Sequence, residues 1–354
     1  MTATGNEMLL EVDELRTHYE TPQGTVRAVD GASLRVAPGQ TIGIVGESGC
    51  GKSVMLRSIL RIVPRPGHIV GGGIRYWRAD AAEPVDLATL DPNGDQIRAI
   101  RGSEISMIFQ EPMSSLSPVH TIGQQIIEAI VLHRQVNARQ ARDHAIDMLA
   151  RVAMPRPDKI VDQYPFEISG GMRQRAMIAM ALSCGPRLLM ADEPTTALDV
   201  TTQAQILDLM RRLQAEFGMA IMFVTHDLGV VAQMTEYVVI MYLGRVVEAA
   251  PVELIYFSPR HPYTHALLHS IPRPGQRKRT TRLAAIRGSV PDPHADVRGC
   301  PFHARCDFSD GKRCTTELPE LRELGGGHRV RCHYAETLLL TGVEGARPAG
   351  EAVS

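Results

Sequence analysis

Gly46-Glu47-Ser48-Gly49-Cys50-Gly51-Lys52-Ser53 fits the pattern G-x-x-x-x-G-K-[ST], and each residue type has a physical reason to be there. Glycines let backbone N–H groups close around a phosphate, and the positive start of the following helix points at it. Lys52 reaches the β- and γ-phosphates of a nucleotide, and Ser53 offers a hydroxyl to Mg²⁺. The plainer alternative is a glycine turn between strand and helix. The flanks argue against it: Thr41-Ile42-Gly43-Ile44-Val45 reads as a short buried strand and Ser53 to Val63 as a helix, the setting a phosphate loop requires.

Working outward, Arg187 to Ala191 and Ala220 to Thr225 are apolar runs of the kind found in parallel strands covered on both faces, separated by an amphipathic helix from Thr202 to Phe217. The first strand runs into Asp192-Glu193. A buried strand delivers such acids to the phosphate end of the sheet, where Asp192 can hold Mg²⁺ through water and Glu193 can polarise an attacking water. Two solvated turn acids are the alternative. Leu9 to Glu20 and Val26 to Val36 alternate as strands of an antiparallel layer. Gly71 to Arg101 reads as a loop-rich insertion around a short strand, with no role for its Trp77. Ile105 to Phe109 is another buried strand, and helical periodicity extends from Ile122 through Ala153. The expected fold is α/β: a P-loop (RecA-like) core with an antiparallel β layer and an inserted helical subdomain, plus a small cysteine-containing C-terminal domain. A boundary falls near Ala250, and no internal repeat is evident.

Bulk properties set limits. The chain has 354 residues, 44% hydrophobic and 22% charged, with net charge -1, which excludes disordered and collagen-like classes and gives no general attraction to nucleic acid or anionic lipid. The run Arg277-Lys278-Arg279 is a local exception that reads as solvated surface. The first residues lack a basic segment followed by an apolar one, and apolar stretches such as Glu236 to Val247 fall short of the roughly 20 residues of a membrane helix. A cytoplasmic chain that docks on membrane subunits is the expectation.

With these residues in place, the sequence resembles the ABC ATPases. Ile168-Ser169-Gly170-Gly171-Met172-Arg173-Gln174-Arg175 is similar to their signature, Gln110 to the Q-loop, Ala197-Leu198-Asp199 to the D-loop and His226 to the switch histidine. Tyr19 stands where the family sets a ring under adenine. Two of these carry plainer alternatives: Tyr19 as an ordinary strand aromatic and His226 as a helix-capping residue. Ser169 with Gly170 and Gly171 forms a helix start with free N–H groups, an anion site in its own right. The resemblance implies a head-to-tail dimer in which this site covers the γ-phosphate held by the other chain. It assigns Glu193, His226 and Gln110 to catalysis, and Ser53, Gln110 and Asp192 to Mg²⁺. ATP would be held by Tyr19, Gly46, Ser48, Gly49, Cys50, Gly51, Lys52, Ser53, Gln110 and Asp192, with Ser169, Gly170, Gly171 and Asp199 completing the site. Gln110, between core and helical insertion, would couple hydrolysis to movement of that insertion.

Longer runs narrow the resemblance. Ile108 to Met113, Ser169 to Leu182 and Ala191 to Gln205 look like the oligopeptide/dipeptide importer ATPases, and Met172 to Met180 like their D-type subunit. Pro259-Arg260-His261-Pro262-Tyr263-Thr264 resembles the start of that family's C-terminal domain. Ile168 and Met172 depart from the general signature without removing a phosphate ligand. The implied organisation is an ATPase domain over 1–255 with its helical subdomain at about 112–182, a four-cysteine domain over 256–336 and a flexible tail over 337–354. Implied partners are a sister F-type ATPase, two membrane permeases and an extracytoplasmic solute-binding protein, at the cytoplasmic face of the inner membrane. A non-transport ABC ATPase acting on ribosomes or DNA is the competing reading; the single core and absence of a long coiled-coil insertion weigh against it.

Cys300, Cys306, Cys314 and Cys332 are separated by five, seven and seventeen residues. No C-x-x-C pair is present, which takes weight from structural zinc. Four thiolates from loops suit an iron–sulfur cluster, and the resemblance implies a [4Fe-4S] centre here. Zinc, or free thiols or disulfides, are the alternatives, and His303 and His333 are potential substitute ligands.

Overall fold

A computed structural model describes residues 8–110, 115–196, 198–270, 286–292, 294–295 and 297–343. Glu111, Pro112 and Met113, the D-loop's Ala197, the run Arg277-Lys278-Arg279 and the end of the tail lie outside the described residues.

The chain opens with β1 (Leu10–Thr21) and β2 (Gly24–Val36), paired antiparallel, then enters β3 (Thr41–Val45) and α1 (Lys52–Ile59). The helix is shorter than expected: it ends at Ile59, and Arg61 has a φ of 56°, which turns the chain away. β4 (Gly67–Tyr76) pairs antiparallel with β1 and carries β5 (Val85–Asp86) at its side, followed by α2 (Asp95–Ile100). The expected loop-rich insertion from Gly71 therefore begins inside a ten-residue strand, whose last six residues it contains. Its glycines mark a bulge: the register slips between Asp13 and Arg16, and a Cβ at Gly72, where φ is +83°, would lie 2.4 Å from the Glu14 carbonyl oxygen. Only glycine fits there.

After β6 (Ile105–Ile108), the single helical run expected from Ile122 to Ala153 divides into α3 (Ile122–His133) and α4 (Ala138–Arg151). Apolar periodicity continues across the break, but the capping chemistry does not. Thr121 with Gln124, and Asn137 with Gln140, form reciprocal capping boxes, each worth about 1 kcal/mol and each a definite helix start. α5 (Gly170–Leu182) closes this layer. β7 (Leu188–Asp192), α6 (Val200–Phe217), β8 (Ala220–Thr225), α7 (Leu228–Met234), β9 (Tyr237–Tyr242) and β10 (Arg245–Pro251) complete the core, and α8 (Val252–Phe257) and α9 (Pro262–His269) lead out of it.

The eight-stranded sheet runs β11-β12-β10-β9-β3-β8-β7-β6, where β11 is Arg322–Glu323 and β12 Arg329–Val330. Its five strands from β9 to β6 are parallel, and a separate four-stranded sheet runs β2-β1-β4-β5. Side chains of period two divide between two cores. Leu189, Ala191, Ile221 and Phe223 face α3 to α6, while Leu188, Met190, Met222 and Val224 face α1 and the antiparallel layer. Val238, Ile240 and Tyr242 of β9 build a third core with Tyr263, Phe302, Cys300 and Cys314. The C-terminal region is thus packed directly on the sheet that ends in the phosphate loop. No described helix is long and apolar enough to cross a membrane.

Candidate active site

β3 is buried throughout and delivers the phosphate loop at its carboxyl end. The loop depends on glycine: a Cβ at Gly46 would lie 2.3 Å from the Met241 carbonyl oxygen, and one at Gly51, where φ is +97°, would lie 2.0 Å from that of Ala28. Ser48 and Gly49 are exposed at its tip, and Cys50 is buried, its thiol pushed up by that burial. Lys52 is buried and folded back, its Nζ donating to Gly46 O at 2.8 Å and Glu47 O at 3.1 Å. The ammonium is therefore already aimed into the loop's concavity, ready to exchange carbonyls for phosphate oxygens.

Parallel strands bring their carboxyl ends together, and β3, β8, β7 and β6 are neighbours. Ser53 Oγ at the start of α1 donates to Asp192 Oδ1 at the end of β7, 2.9 Å away. Burial raises the Asp192 carboxyl, opposed by the Ser53 hydrogen bond. The two oxygens side by side are the hard donor set Mg²⁺ takes in a nucleotide complex, so the residues fit that ion. One residue on, Glu193 adopts φ 48° and faces the gap between strands. Its Oε2 accepts from Gln110 Nε2 at 3.2 Å and Thr196 Oγ1 at 2.8 Å, and His226 Nδ1 lies 3.4 Å away. Gln110, Glu193 and His226 thus meet at one point. Thr196 was missed from sequence; its position three residues after Glu193 is its only signal.

Ser169 caps α5, its Oγ accepting from Met172 N at 3.4 Å, and Gly170 and Gly171 lie at the exposed helix start. A Cβ on Gly171 would come within 2.9 Å of the Thr202 side chain. Asp199 caps α6, accepting from Thr201 N and Thr202 N at 3.0 Å each, and these hydrogen bonds with that of the Thr202 hydroxyl keep its carboxyl below the ordinary range. The signature and D-loop therefore share one face. Tyr19 lies on β1 opposite Gly67, half-buried, where a Cβ on Gly67 would strike its ring.

Cys300, Cys306, Cys314 and Cys332 all line one cleft and none forms a disulfide. Burial pushes the Cys300 thiol up to about 12 and Cys306 to about 11. Yet among the described residues no group of three or more His, Cys, Asp or Glu is arranged to hold a metal ion. The sulfur-only donor set suits the expected [4Fe-4S] cluster or zinc, but the side chains do not converge on a centre. Cys332 Sγ accepts from Tyr334 N at 3.4 Å, and the rings of His303 and His333 face the carbonyls of Cys300 and Glu317 at 2.7 and 2.9 Å.

Fold and site together define a P-loop nucleotide-binding protein. Residues 29–196 match the ABC transporter family, and residues 247–314 match the oligopeptide/dipeptide transporter C-terminal region. The chain is 47% identical over 327 residues to a peptide ABC transporter ATP-binding protein, y4tR, of Sinorhizobium fredii, covering 92% of this chain and 95% of the relative. It is 46% identical over 329 residues to the oligopeptide transport ATP-binding protein AppD of Bacillus subtilis, covering 93% and 97%. Among solved structures, the dimeric post-hydrolysis state of the ATP-binding cassette MJ0796 bound to ADP and phosphate is 25% identical with a TM-score of 0.60, covering 69% of this chain and 99% of that one. The chain belongs to the ATP-binding subunits of ABC transporters, in the branch with the oligopeptide/dipeptide transporter C-terminal region. It is accordingly an ATPase.

Proposed function

We propose that this ATPase is the motor of a peptide importer, working head to tail with a second ATPase subunit. The observation that carries the catalytic half of this reading is the convergence of Gln110, Thr196 and His226 on the Glu193 carboxylate, beside the Ser53–Asp192 pair. Lys52 binds the β- and γ-phosphates, and Glu193 takes up a proton from the attacking water while Gln110 and Thr196 orient its carboxylate. His226 contacts the γ-phosphate. Ser53, Asp192 and Gln110 would hold Mg²⁺, which when bound would supply neutralisation of phosphate charge. Catalysis by positioning and charge stabilisation makes hydrolysis conditional on closure, since Ser169, Gly170 and Gly171 lie on a face that a second chain would bring over the γ-phosphate. Tyr19 stacks on adenine.

Peptide as the solute is supported by the names of the relatives, a peptide transporter and an oligopeptide transporter subunit. The proposed assembly contains a sister F-type ATPase, two membrane permeases and an extracytoplasmic binding protein, with this subunit peripheral at the cytoplasmic face of the inner membrane. In this organisation the ATPase domain spans 1–255, the four-cysteine domain 256–336 and the tail 337–354. Proteoliposomes carrying the assembled transporter test the reading. ATP-dependent peptide uptake that disappears in Lys52→Ala supports it; hydrolysis without uptake of any peptide tried, but with uptake of another solute, would replace the peptide assignment.

For the cysteine cleft we propose a [4Fe-4S] centre in preference to zinc, supported by four free thiols lining one cleft. Anaerobic purification should give a brown protein with iron and acid-labile sulfide in equal amounts. A colourless protein with stoichiometric zinc would reverse the preference, and one with neither metal would end it.

A further inference from the structure

Two residues of the C-terminal region grip the phosphate loop. Arg305, whose side chain is 5% exposed, donates from Nη1 to Glu47 Oε2 at 2.6 Å and from Nη2 to Glu47 Oε1 at 3.0 Å, across 258 positions of sequence. Tyr263 accepts from the Glu47 backbone N–H at 3.0 Å. Both the peptide and the side chain of Glu47, the residue after Gly46, are thus held from outside the loop.

The grip is rigid because its own base is packed. Tyr242, Tyr263 and Phe302 pack with ring centroids 4.7 to 5.3 Å apart, and the Arg305 guanidinium lies 5.8 Å from the Tyr242 ring and 6.0 Å from that of Phe302. Arg305 Nε also donates to Arg287 O at 2.9 Å. A guanidinium anchored at several points loses little freedom on making a two-pronged pair.

Glu47 is the only carboxylate in the loop from Gly46 to Ser53, and that loop must receive a polyanion. An unpaired carboxylate there would repel the phosphates and compete for Lys52. We propose that Arg305 and Tyr263 are positioning residues for nucleotide binding, which neutralise and tether Glu47 so that the loop is preformed for the triphosphate. This rests on the nucleotide-site reading above.

Nucleotide affinity of the full-length chain, with turnover at saturating ATP, tests the idea. Arg305→Met should weaken ATP binding about tenfold with turnover at saturation within about twofold of native, because the catalytic groups stay in place. Adding Glu47→Gln to Arg305→Met should restore affinity to within about threefold, since it removes the exposed repulsion. A purely structural arginine would show no such rescue. Native affinity in Arg305→Met, or a double variant no better than the single one, would overturn the proposal. Where Arg305→Met does not fold, Arg305→Lys, which keeps the charge but forfeits the paired grip, should give an intermediate affinity, and native affinity there would overturn it equally. Lys52→Ala separates the two levels: if it binds ATP normally the nucleotide site itself is misread, whereas its loss alongside normal binding in the Arg305 variants removes only this inference.

Discussion

The Gln110 side-chain amide donates to Glu193 Oε2 at 3.2 Å, joining residues 83 positions apart. Gln110 stands two residues past the end of β6, the edge strand of the large sheet, and Glu193 one residue past the end of its neighbour β7. A shift that carried Gln110 away would therefore remove one of the contacts that orient the Glu193 carboxylate, the group proposed above to activate water. Under the proposed function, this contact would couple the position of Gln110 to competence for hydrolysis.

Glu193→Gln keeps the shape and the Thr196 contact but removes the base. Turnover should fall at least about 100-fold, the lower range for a general base, with ATP affinity within about threefold. Phosphate release and equilibrium nucleotide binding check this, and native turnover would remove Glu193 from the role.

Asp192→Asn should separate metal use from stability. Burial raises the Asp192 carboxyl above its unfolded value, so its charged form opposes folding. The neutral variant should melt at the same temperature or about 2 °C higher, while half-saturating Mg²⁺ for hydrolysis rises about tenfold. A lower melting temperature would contradict the sign.

Gly49 and Gly51 both have positive φ but differ in surroundings: a Cβ on Gly49 meets nothing within 4 Å, whereas one on Gly51 would overlap the Ala28 carbonyl. Gly49→Ala should cost only the conformational term, about 1 to 2 kcal/mol. Gly51→Ala adds an overlap with backbone that must move the loop, and should abolish measurable ATP binding. Paired melting and binding curves distinguish the two.

His261 is fully buried, and that burial lowers its ring to about 3. Between pH 6.5 and 3 the unfolded chain takes up a proton that the folded chain refuses, so stability is lost as pH falls through this window. The unfolded ring is half protonated at pH 6.5 and almost fully so by pH 5, so the loss between them is about 1.6 kcal/mol. Denaturant titrations should show this loss in the native protein and a smaller one in His261→Asn; equal losses would assign the dependence elsewhere.

Where the signal is local, the sequence was readable. Thr41–Val45 and Ala220–Thr225 are strands with the expected bounds, because continuous apolar runs between turn residues have few other solutions. The family's motif order anticipated the meeting of Gln110, Glu193 and His226. Gly71-Gly72-Gly73 misled because glycine marks both loops and bulges, and only the partner strand decides which. The break between α3 and α4 was hidden by periodicity that crosses it, although Asn137 with Gln140 was there to be read as a helix start. Arg305 and Glu47 carried no sequence signal: an arginine before a cysteine and a glutamate in a phosphate loop acquire their relation only when 258 residues of fold bring them together. The four cysteines were read as a metal site from their clustering; they line one cleft, but their spacing could not say how closely their sulfurs approach.

β12 pairs Val330 and Arg329 with Glu248 and Ala249 of β10, and Arg331 N donates to Val247 O at 2.8 Å. These few bonds cover the apolar run Val246-Val247 at the side of the large sheet. A fragment ending at residue 255 would leave this strand as an open edge, with free N–H and C=O groups beside buried valines, a template for pairing with other molecules. The C-terminal region thus also acts as a guard against aggregation, and an isolated ATPase fragment should precipitate where the full chain stays in solution.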